Sequence, residues 1–132
     1  SKKNGFVEWI INSSNASKNI NLFDDVIFNP ISIWDLGKEI NYLVSLKNLP
    51  NEILHISGTE ISTKYEFGQA LLKTLNLNTN NIERGLISSF KDRAKRCNDQ
   101  TLDCNYYQNK FNRQLPSLYN TLEVIKYHYE SN

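Results

Sequence analysis

Several residue types are scarce in this sequence, and each shortage excludes a class of protein. The two cysteines, Cys97 and Cys104, are too few for the disulfide framework of a small secreted domain. No apolar run approaches the roughly 20 residues that a membrane helix needs. The 15 lysines and arginines barely exceed the 14 aspartates and glutamates, so the formal net charge of +1 creates no field that would attract nucleic acid. We therefore expect neither nucleic acid nor a membrane as a partner.

Metal-binding and catalytic motifs are also missing. The two histidines, His55 and His128, lie far apart in the sequence and each has apolar neighbours, so they do not form a cluster of metal ligands. The five glycines do not make a glycine-rich phosphate loop, and there is no Gly-x-Ser-x-Gly elbow. Asp24 and Asp25 are adjacent, so they would point to opposite faces of a strand and could not cooperate as an acid and a base. We expect no bound metal and no catalytic residue in this chain.

What is present is typical of one globular domain, with 132 residues, 39% of them hydrophobic and 22% charged. The sequence contains no methionine and a helix-like pattern begins within a few residues of Ser1, so we expect part of a longer protein. The first residues lack the apolar region of a signal peptide. We therefore expect a cytoplasmic protein whose cysteines are reduced and pack in the fold.

Apolar residues recur at helical spacing in five segments that turn-forming or helix-capping residues delimit. These segments are approximately residues 5–12, 32–47, 63–75, 105–111 and 117–129. Residues 19–28 alternate as a strand does, with a turn at Asp24 and Asp25, and residues 52–57 form an apolar run that predicts a second strand. Ser62 is expected to cap the third helical segment. We expect an α/β lobe in which three or four helices accompany a few short strands.

The most basic stretch runs from Lys91 to Arg96, where four of six side chains are positive. In an extended backbone, Arg93 and Arg96 could aim their forked donors at a phosphate or a diphosphate. A solvated charged loop would have the same composition. The pattern alone leaves both interpretations open.

Three motifs occur in an order that resembles one known family. They are Asn29-Pro30-Ile31-Ser32-Ile33-Trp34-Asp35-Leu36, then Leu54-His55-Ile56-Ser57-Gly58 leading into Ser62-Thr63-Lys64-Tyr65-Glu66-Phe67-Gly68, and then Arg96-Cys97-Asn98-Asp99-Gln100-Thr101-Leu102-Asp103. Over nearly the whole chain, the sequence resembles the C-terminal part of dTDP-4-dehydrorhamnose reductase and its relatives, which are extended short-chain dehydrogenases/reductases.

The resemblance implies a Rossmann-type fold in which residues 1–132 form the C-terminal, substrate-binding domain and the cofactor-binding half is absent. It implies a full-length enzyme that uses NAD(P)H to reduce a dTDP-4-keto-6-deoxy sugar, as in dTDP-rhamnose synthesis. The family's Tyr-x-x-x-Lys has no match here, so we expect this chain alone to be inactive and to bind no cofactor. The implied partners are a nucleotide sugar and the missing Rossmann half, whose sheet the 52–57 strand would join. An uncovered strand edge would also favour self-association as a homo-oligomer.

Carried over residue by residue, the resemblance implies substrate contacts for Phe6 and Arg96. Phe6 matches the aromatic residue of the family's Asn-Phe-Val start, and Arg96 matches the arginine of its Arg-Pro, which lies near the nucleotide diphosphate. Arg93 is a further expected phosphate contact on charge alone, without a motif match. Cys97 replaces the usual proline and Ile31 replaces the usual threonine, which changes the loop at one site and removes a hydroxyl at the other.

Two further interpretations remain open. A non-catalytic regulatory subunit of methionine adenosyltransferase belongs to the same family and also contains Leu-Asp-Cys, as Leu102-Asp103-Cys104 does here, which would make the chain a binding module. The other alternative is an epimerase or a dehydratase that acts on another nucleotide sugar.

Overall fold

The computed structural model describes residues 4–91 and 94–132. They form two units that alternate along the chain: unit 1 contains the described residues up to Phe28 together with Ser62–Gln100, and unit 2 contains Asn29–Ile61 and Thr101–Asn132. The architecture is α/β. In chain order, the elements are α1 Phe6–Asn15, β1 Ile20–Phe23, β2 Ile27–Phe28, α2 Ile33–Ser45, β3 Ser62–Thr63, α3 Lys64–Thr74, β4 Ile82–Gly85, a 3₁₀ turn at Ile87–Ser89, α4 Asn105–Phe111 and α5 Leu118–Glu130.

Unit 1 is built on a parallel pair of strands. β1 pairs with β4 so that Ile20 lies opposite Ile82, and α3 packs on both strands and on α1. Gly68 allows the close approach of α3, because a Cβ there would meet a methyl group of Leu22 and that side chain would have to shift. Apolar side chains from all four elements form the core, among them Ile10, Ile20, Leu22, Phe67, Leu71, Leu72 and Ile82.

Two aspartates hold the turn between β1 and β2, which confirms the predicted turn at these residues. The carboxylate of Asp24 accepts a hydrogen bond from the Thr63 hydroxyl at 3.0 Å and pairs with Arg84 at 3.2 Å. The carboxylate of Asp25 accepts a hydrogen bond from the backbone N–H of Ile87 at 2.8 Å. Each aspartate therefore ties the turn to another segment of unit 1.

Helix α3 begins with a capping box one residue later than predicted. The Thr63 hydroxyl accepts a hydrogen bond from the Glu66 N–H, and the Glu66 carboxylate accepts one from the Thr63 N–H, both at 3.0 Å. The prediction that Ser62 caps the helix is wrong: Thr63 is the cap, and the Ser62 hydroxyl donates a hydrogen bond to the Thr63 carbonyl at 3.0 Å, while Ser62 lies opposite Phe28 of β2 in an antiparallel pair. The helix itself is confirmed.

Unit 2 has a small core of its own. Its buried centre consists of Cys104, Tyr107 and Leu115, and partly buried side chains pack against it: Ile31, Leu43, Leu54, Ile56 and Phe111. Both cysteines are free thiols, but only Cys104 is buried, whereas Cys97 in unit 1 is exposed. The expected packing role therefore holds for Cys104 and is wrong for Cys97.

The strand predicted at residues 52–57 is not formed. From Ile53 to Ile56 its side chains alternate between exposed and partly buried, and Ser57 is buried. A strand also needs a hydrogen-bonded neighbour, and residues 53–56 make no backbone–backbone hydrogen bond with another residue that the structure describes. The end of the segment is instead fixed by a side chain, since the Asn29 amide donates to the Ser57 hydroxyl at 2.8 Å and to the Gly58 carbonyl at 3.0 Å.

The described residues form five α-helices instead of the three or four expected. All five match helix-like segments of the sequence, and α4 coincides with the predicted residues 105–111. Helix α2 follows Ser32, whose hydroxyl accepts a hydrogen bond from the Asp35 N–H at 3.0 Å. Across residues 4–91 and 94–132, none of these helices has both the length and the apolar composition to cross a membrane.

Candidate functional site

A cleft of about 770 Å³ opens in unit 1. Its walls come from the start of α1, from β1, from the first turn of α3 and from the chain after β4. Aromatic, positive and amide side chains line it together, among them Phe6, Trp9, Lys64, Phe90, Arg96 and Gln100. Two of the three residues predicted to bind substrate, Phe6 and Arg96, therefore lie in one cleft.

Phe6 is the first residue of α1. Gly5 precedes it as the N-cap, and the Glu8 carboxylate accepts a hydrogen bond from the Gly5 N–H at 3.3 Å. The Phe6 ring packs against Phe28 and Phe67, with ring centroids 6.3 and 6.0 Å away. Because Phe67 is only 1% exposed, this cluster fixes the Phe6 ring to the core of unit 1.

Arg96 is the last residue of the basic run and continues directly into the segment that contains Asn98 and Gln100. Two backbone hydrogen bonds attach this segment to β2, since the Ile27 N–H donates to the Asn98 carbonyl and the Gln100 N–H donates to the Ile27 carbonyl, both at 2.9 Å. The Arg96 side chain is exposed and forms no ion pair with another described residue. Arg93, the third predicted substrate contact, lies outside the described residues.

Lys64, the first residue of α3, contributes a second positive charge to the cleft. Its Nζ lies 3.4 Å from the centroid of the Phe28 ring and 5.0 Å from that of Phe6. Burial lowers the pKa of Lys64 below its ordinary value of 10.5, because a low-dielectric environment disfavours the charged form. The ammonium group is therefore partly dehydrated where it faces the cleft.

The motifs and the basic run did not single out Lys64. Its aromatic neighbours, Phe6 and Phe28, are distant in the sequence, and only the pairing of β2 with β3 brings Phe28 beside the start of α3. The sequence feature that could have identified Lys64 is its position in the motif Ser62–Gly68, where it is the one positive residue.

Unit 2 contains a second cleft, of about 610 Å³. The Glu39 carboxylate in its wall already has hydrogen-bond partners within the protein. Arg113 donates two hydrogen bonds to Glu39, at 2.8 and 2.9 Å, and the Tyr107 hydroxyl donates a third at 3.0 Å. The hydrogen bond from Arg113 is the main cause that lowers the pKa of Glu39. Burial, and then the hydrogen bond to Glu39, raise the pKa of Tyr107 to about 12. This network is structural because its charged groups satisfy one another.

The chemistry available in these clefts is that of binding. Among residues 4–91 and 94–132, histidine, cysteine, aspartate and glutamate side chains form no group of three or more that could hold a metal ion. The five glycines are separate in the sequence, so they do not form the glycine-rich turn on which a dinucleotide-binding half holds its pyrophosphate. The unit 1 cleft offers three cations, Lys18, Lys64 and Arg96, and aromatic faces, which suit phosphates and rings.

Solved structures identify the class of fold. The dTDP-4-dehydrorhamnose reductase of Bacillus anthracis, in complex with NADP, matches with a TM-score of 0.81 and 24% identity over 93% of this chain, and that of Clostridium acetobutylicum with 0.79 and 19% over 98%. A dTDP-glucose 4,6-dehydratase from Bacillus anthracis, in complex with NAD, matches with 0.72 and 16% over 97%. The chain covers only 43%, 44% and 40% of these proteins. It has the fold of the C-terminal lobe of an extended short-chain dehydrogenase/reductase.

A family model then identifies the particular family. The model of the RmlD substrate binding domain matches residues 1–130, which is nearly the whole chain. The chain belongs to this family, and the resemblance seen in the sequence motifs is confirmed. Comparison with curated protein sequences gives no significant match.

Proposed function

We propose that this chain is the substrate-binding part of an NAD(P)-dependent sugar-nucleotide reductase that acts on a dTDP-4-keto-6-deoxy sugar, as in dTDP-rhamnose synthesis. The observation that carries the proposal is the unit 1 cleft, where Lys64 and Arg96 lie beside the rings of Phe6 and Trp9 in a member of the RmlD substrate binding domain family. This combination of charges and rings matches the parts of a nucleotide sugar.

Each part of such a ligand has a suitable group in the cleft. A diphosphate suits the forked donors of Arg96, which can bind two oxygens at once. A flat base or the apolar face of a sugar suits the rings of Phe6 and Trp9, and the amide of Gln100 can bond to a hydroxyl. The volume of about 770 Å³ falls within the roughly 300 to 1,000 Å³ of small-molecule sites.

Hydride transfer requires groups that this chain does not contain. We assign NAD(P)H and the catalytic tyrosine and lysine to a Rossmann half, with which this chain would form a cytoplasmic enzyme. The support is that the related proteins solved with NADP and NAD are more than twice as long as the region matched here. In this proposal the chain supplies substrate binding and is inactive alone.

The test is an assay of the intact protein with three compounds: a dTDP-4-keto-6-deoxy sugar, its UDP counterpart and dTDP-glucose. We expect NAD(P)H oxidation, followed by absorbance, with the dTDP-4-keto sugar and much less with the UDP compound. Oxidation with neither keto sugar would contradict the proposal. Binding without turnover would instead indicate a non-catalytic module, and loss of water from dTDP-glucose would indicate a dehydratase.

Two residues of the Leu102-Asp103-Cys104 sequence, on which the non-catalytic alternative rests, have structural contacts. The Asp103 carboxylate accepts a hydrogen bond from the Asn105 N–H at 2.9 Å, at the start of α4. Cys104 is buried in the core of unit 2, with its sulfur 3.9 Å from the Gly58 carbonyl. Leu102 and Asp103 are exposed, so the assay above, and not this sequence, separates the two alternatives.

A further inference from the structure

We infer that Lys64 binds the diphosphate of the ligand in the unit 1 cleft, together with Arg96, and so makes the cleft selective for a diphosphate. The inference rests on the proposed function and deepens it by naming a residue that decides which ligand is bound. It follows from the charge balance and the packing around one side chain.

The positive charge of Lys64 is not balanced by a carboxylate among the described residues. Asp24, whose carboxylate contacts the neighbouring Thr63, and Glu66, in the first turn of α3, have other partners. Asp24 accepts from the Thr63 hydroxyl and pairs with Arg84, and Glu66 accepts from the Thr63 N–H. An unpaired and partly buried charge is costly, so an anionic ligand that completes the pair would be favoured.

The aromatic rings hold the ammonium group without using up its hydrogen-bond donors. Phe28 and Phe6 attract the cation through their faces, at 3.4 and 5.0 Å from the ring centroids. No hydrogen bond from the Lys64 ammonium to another described residue is formed, and such a group carries three N–H donors. Donors that protein groups leave unused in a cleft wall are available to phosphate oxygens, and partial dehydration strengthens that attraction.

Packing alone does not account for a lysine at this position. A methionine side chain has a similar length, would fill the same space between the two rings and would carry no charge to dehydrate. The substitution Lys64→Met therefore removes the charge and preserves the shape, which separates a binding role from a structural one.

The experiment measures the binding of dTDP, inorganic pyrophosphate and thymidine to the intact protein by titration calorimetry. We expect Lys64→Met to weaken dTDP and pyrophosphate about tenfold or more, as the loss of one charge-assisted hydrogen bond would, and to leave thymidine within about twofold. Lys64→Arg should retain most of the affinity because it keeps the charge. Lys73→Met, in the last turn of the same helix and outside the cleft, is the matched control and should change nothing.

Other results would overturn the inference. Unchanged pyrophosphate binding by Lys64→Met would show that the lysine does not contact the diphosphate, and equal weakening of thymidine would show a general loss of structure. If Lys64→Met does not fold, Lys64→Gln also removes the charge: loss of pyrophosphate with retained thymidine would support a specific contact, whereas equal loss of both would overturn it. If the protein binds pyrophosphate through Lys64 but oxidises no NAD(P)H, the proposed function is refuted and the role of Lys64 stands.

Discussion

The two units of the chain use their positive side chains in different ways. In unit 2 three lysines and arginines pair with carboxylates of the same unit: Lys38 with Asp35, Lys110 with Glu52, and Arg113 with Glu39. In unit 1 Arg84 pairs with Asp24, whereas Lys64 and Arg96 line the cleft without an ion pair to another described residue. These lysines and arginines of unit 2 are therefore paired with carboxylates, whereas Lys64 and Arg96 of unit 1 line a cleft without such a partner in the described part of the chain.

This contrast explains why volume is a poor guide to function here. Both clefts are large enough for a small molecule and both contain charged groups. In the unit 2 cleft the buried carboxylate of Glu39 already has three hydrogen bonds from protein donors. A ligand in the unit 2 cleft would have to displace these hydrogen bonds. A ligand in the unit 1 cleft would instead pair with cations that have no carboxylate partner among the described residues.

The largest expected effect comes from breaking the paired network of unit 2. Glu39→Ala leaves the Arg113 guanidinium and the buried Tyr107 hydroxyl without their common acceptor, so we expect the free energy of unfolding to fall by about 3 to 5 kcal/mol. Urea unfolding of the intact protein, followed by circular dichroism, measures this loss. Lys38→Ala on the same helix is the control, because its side chain is 71% exposed and its removal should cost less than about 0.5 kcal/mol. Similar losses for both variants would mean that the buried network behaves as a surface ion pair.

The next effect comes from removing an unpaired cation of unit 1. Arg96→Ala should weaken the binding of dTDP or its sugar by about 1.5 to 3 kcal/mol, the value of a charge-assisted hydrogen bond, and should leave the unfolding free energy nearly unchanged. Calorimetric titration of this variant measures the affinity, and urea unfolding measures its stability. Lys95→Ala is the matched control because Lys95 is adjacent, exposed and outside the cleft. Unchanged affinity of the Arg96 variant would remove this residue from the site.

A smaller effect should appear in the response of unit 2 to acid. The pKa of Glu39 is lowered from its ordinary value of 4.5, chiefly by the hydrogen bond from Arg113, so the folded protein favours the ionised carboxylate. The resulting stability is present above about pH 4.5 and is lost as the pH falls through the lowered pKa of the folded state. Glu39→Gln should therefore show a shallower loss of stability on acidification than the native protein. Urea midpoints measured over a pH series test this. If the midpoints of both proteins fall equally steeply as the pH decreases, other groups determine the acid sensitivity.

Local patterns predicted most of the helices because their causes are local. Helix α2, for example, follows from the cap at Ser32 and from apolar residues at helical spacing, both of which lie within one stretch of chain. The strand at 52–57 was predicted wrongly for the opposite reason. A short apolar run indicates a segment that can be buried, but it does not supply the hydrogen-bonded neighbour that a strand needs.

The candidate site was predicted only in part, for a similar reason. Phe6 and Arg96 were found because they match motifs of a family, and the structure places both in one cleft. Lys64 was missed because its environment is made by rings from two other segments, Phe6 and Phe28, so that no stretch of sequence contains the pattern. Whether the charge of Lys64 has a partner can be seen only in the folded unit.

The alternation of the two units along the chain also sets the order in which the protein can be built. β1 can pair only after β4 has been synthesised, and the amide of Asn29 finds its partner in the Leu102 backbone only later still. Contacts between such distant positions form slowly and leave apolar surface uncovered in the meantime. During synthesis, helices α1 and α2 must therefore wait for segments made much later, including β4 and the region of Leu102, before either core can close.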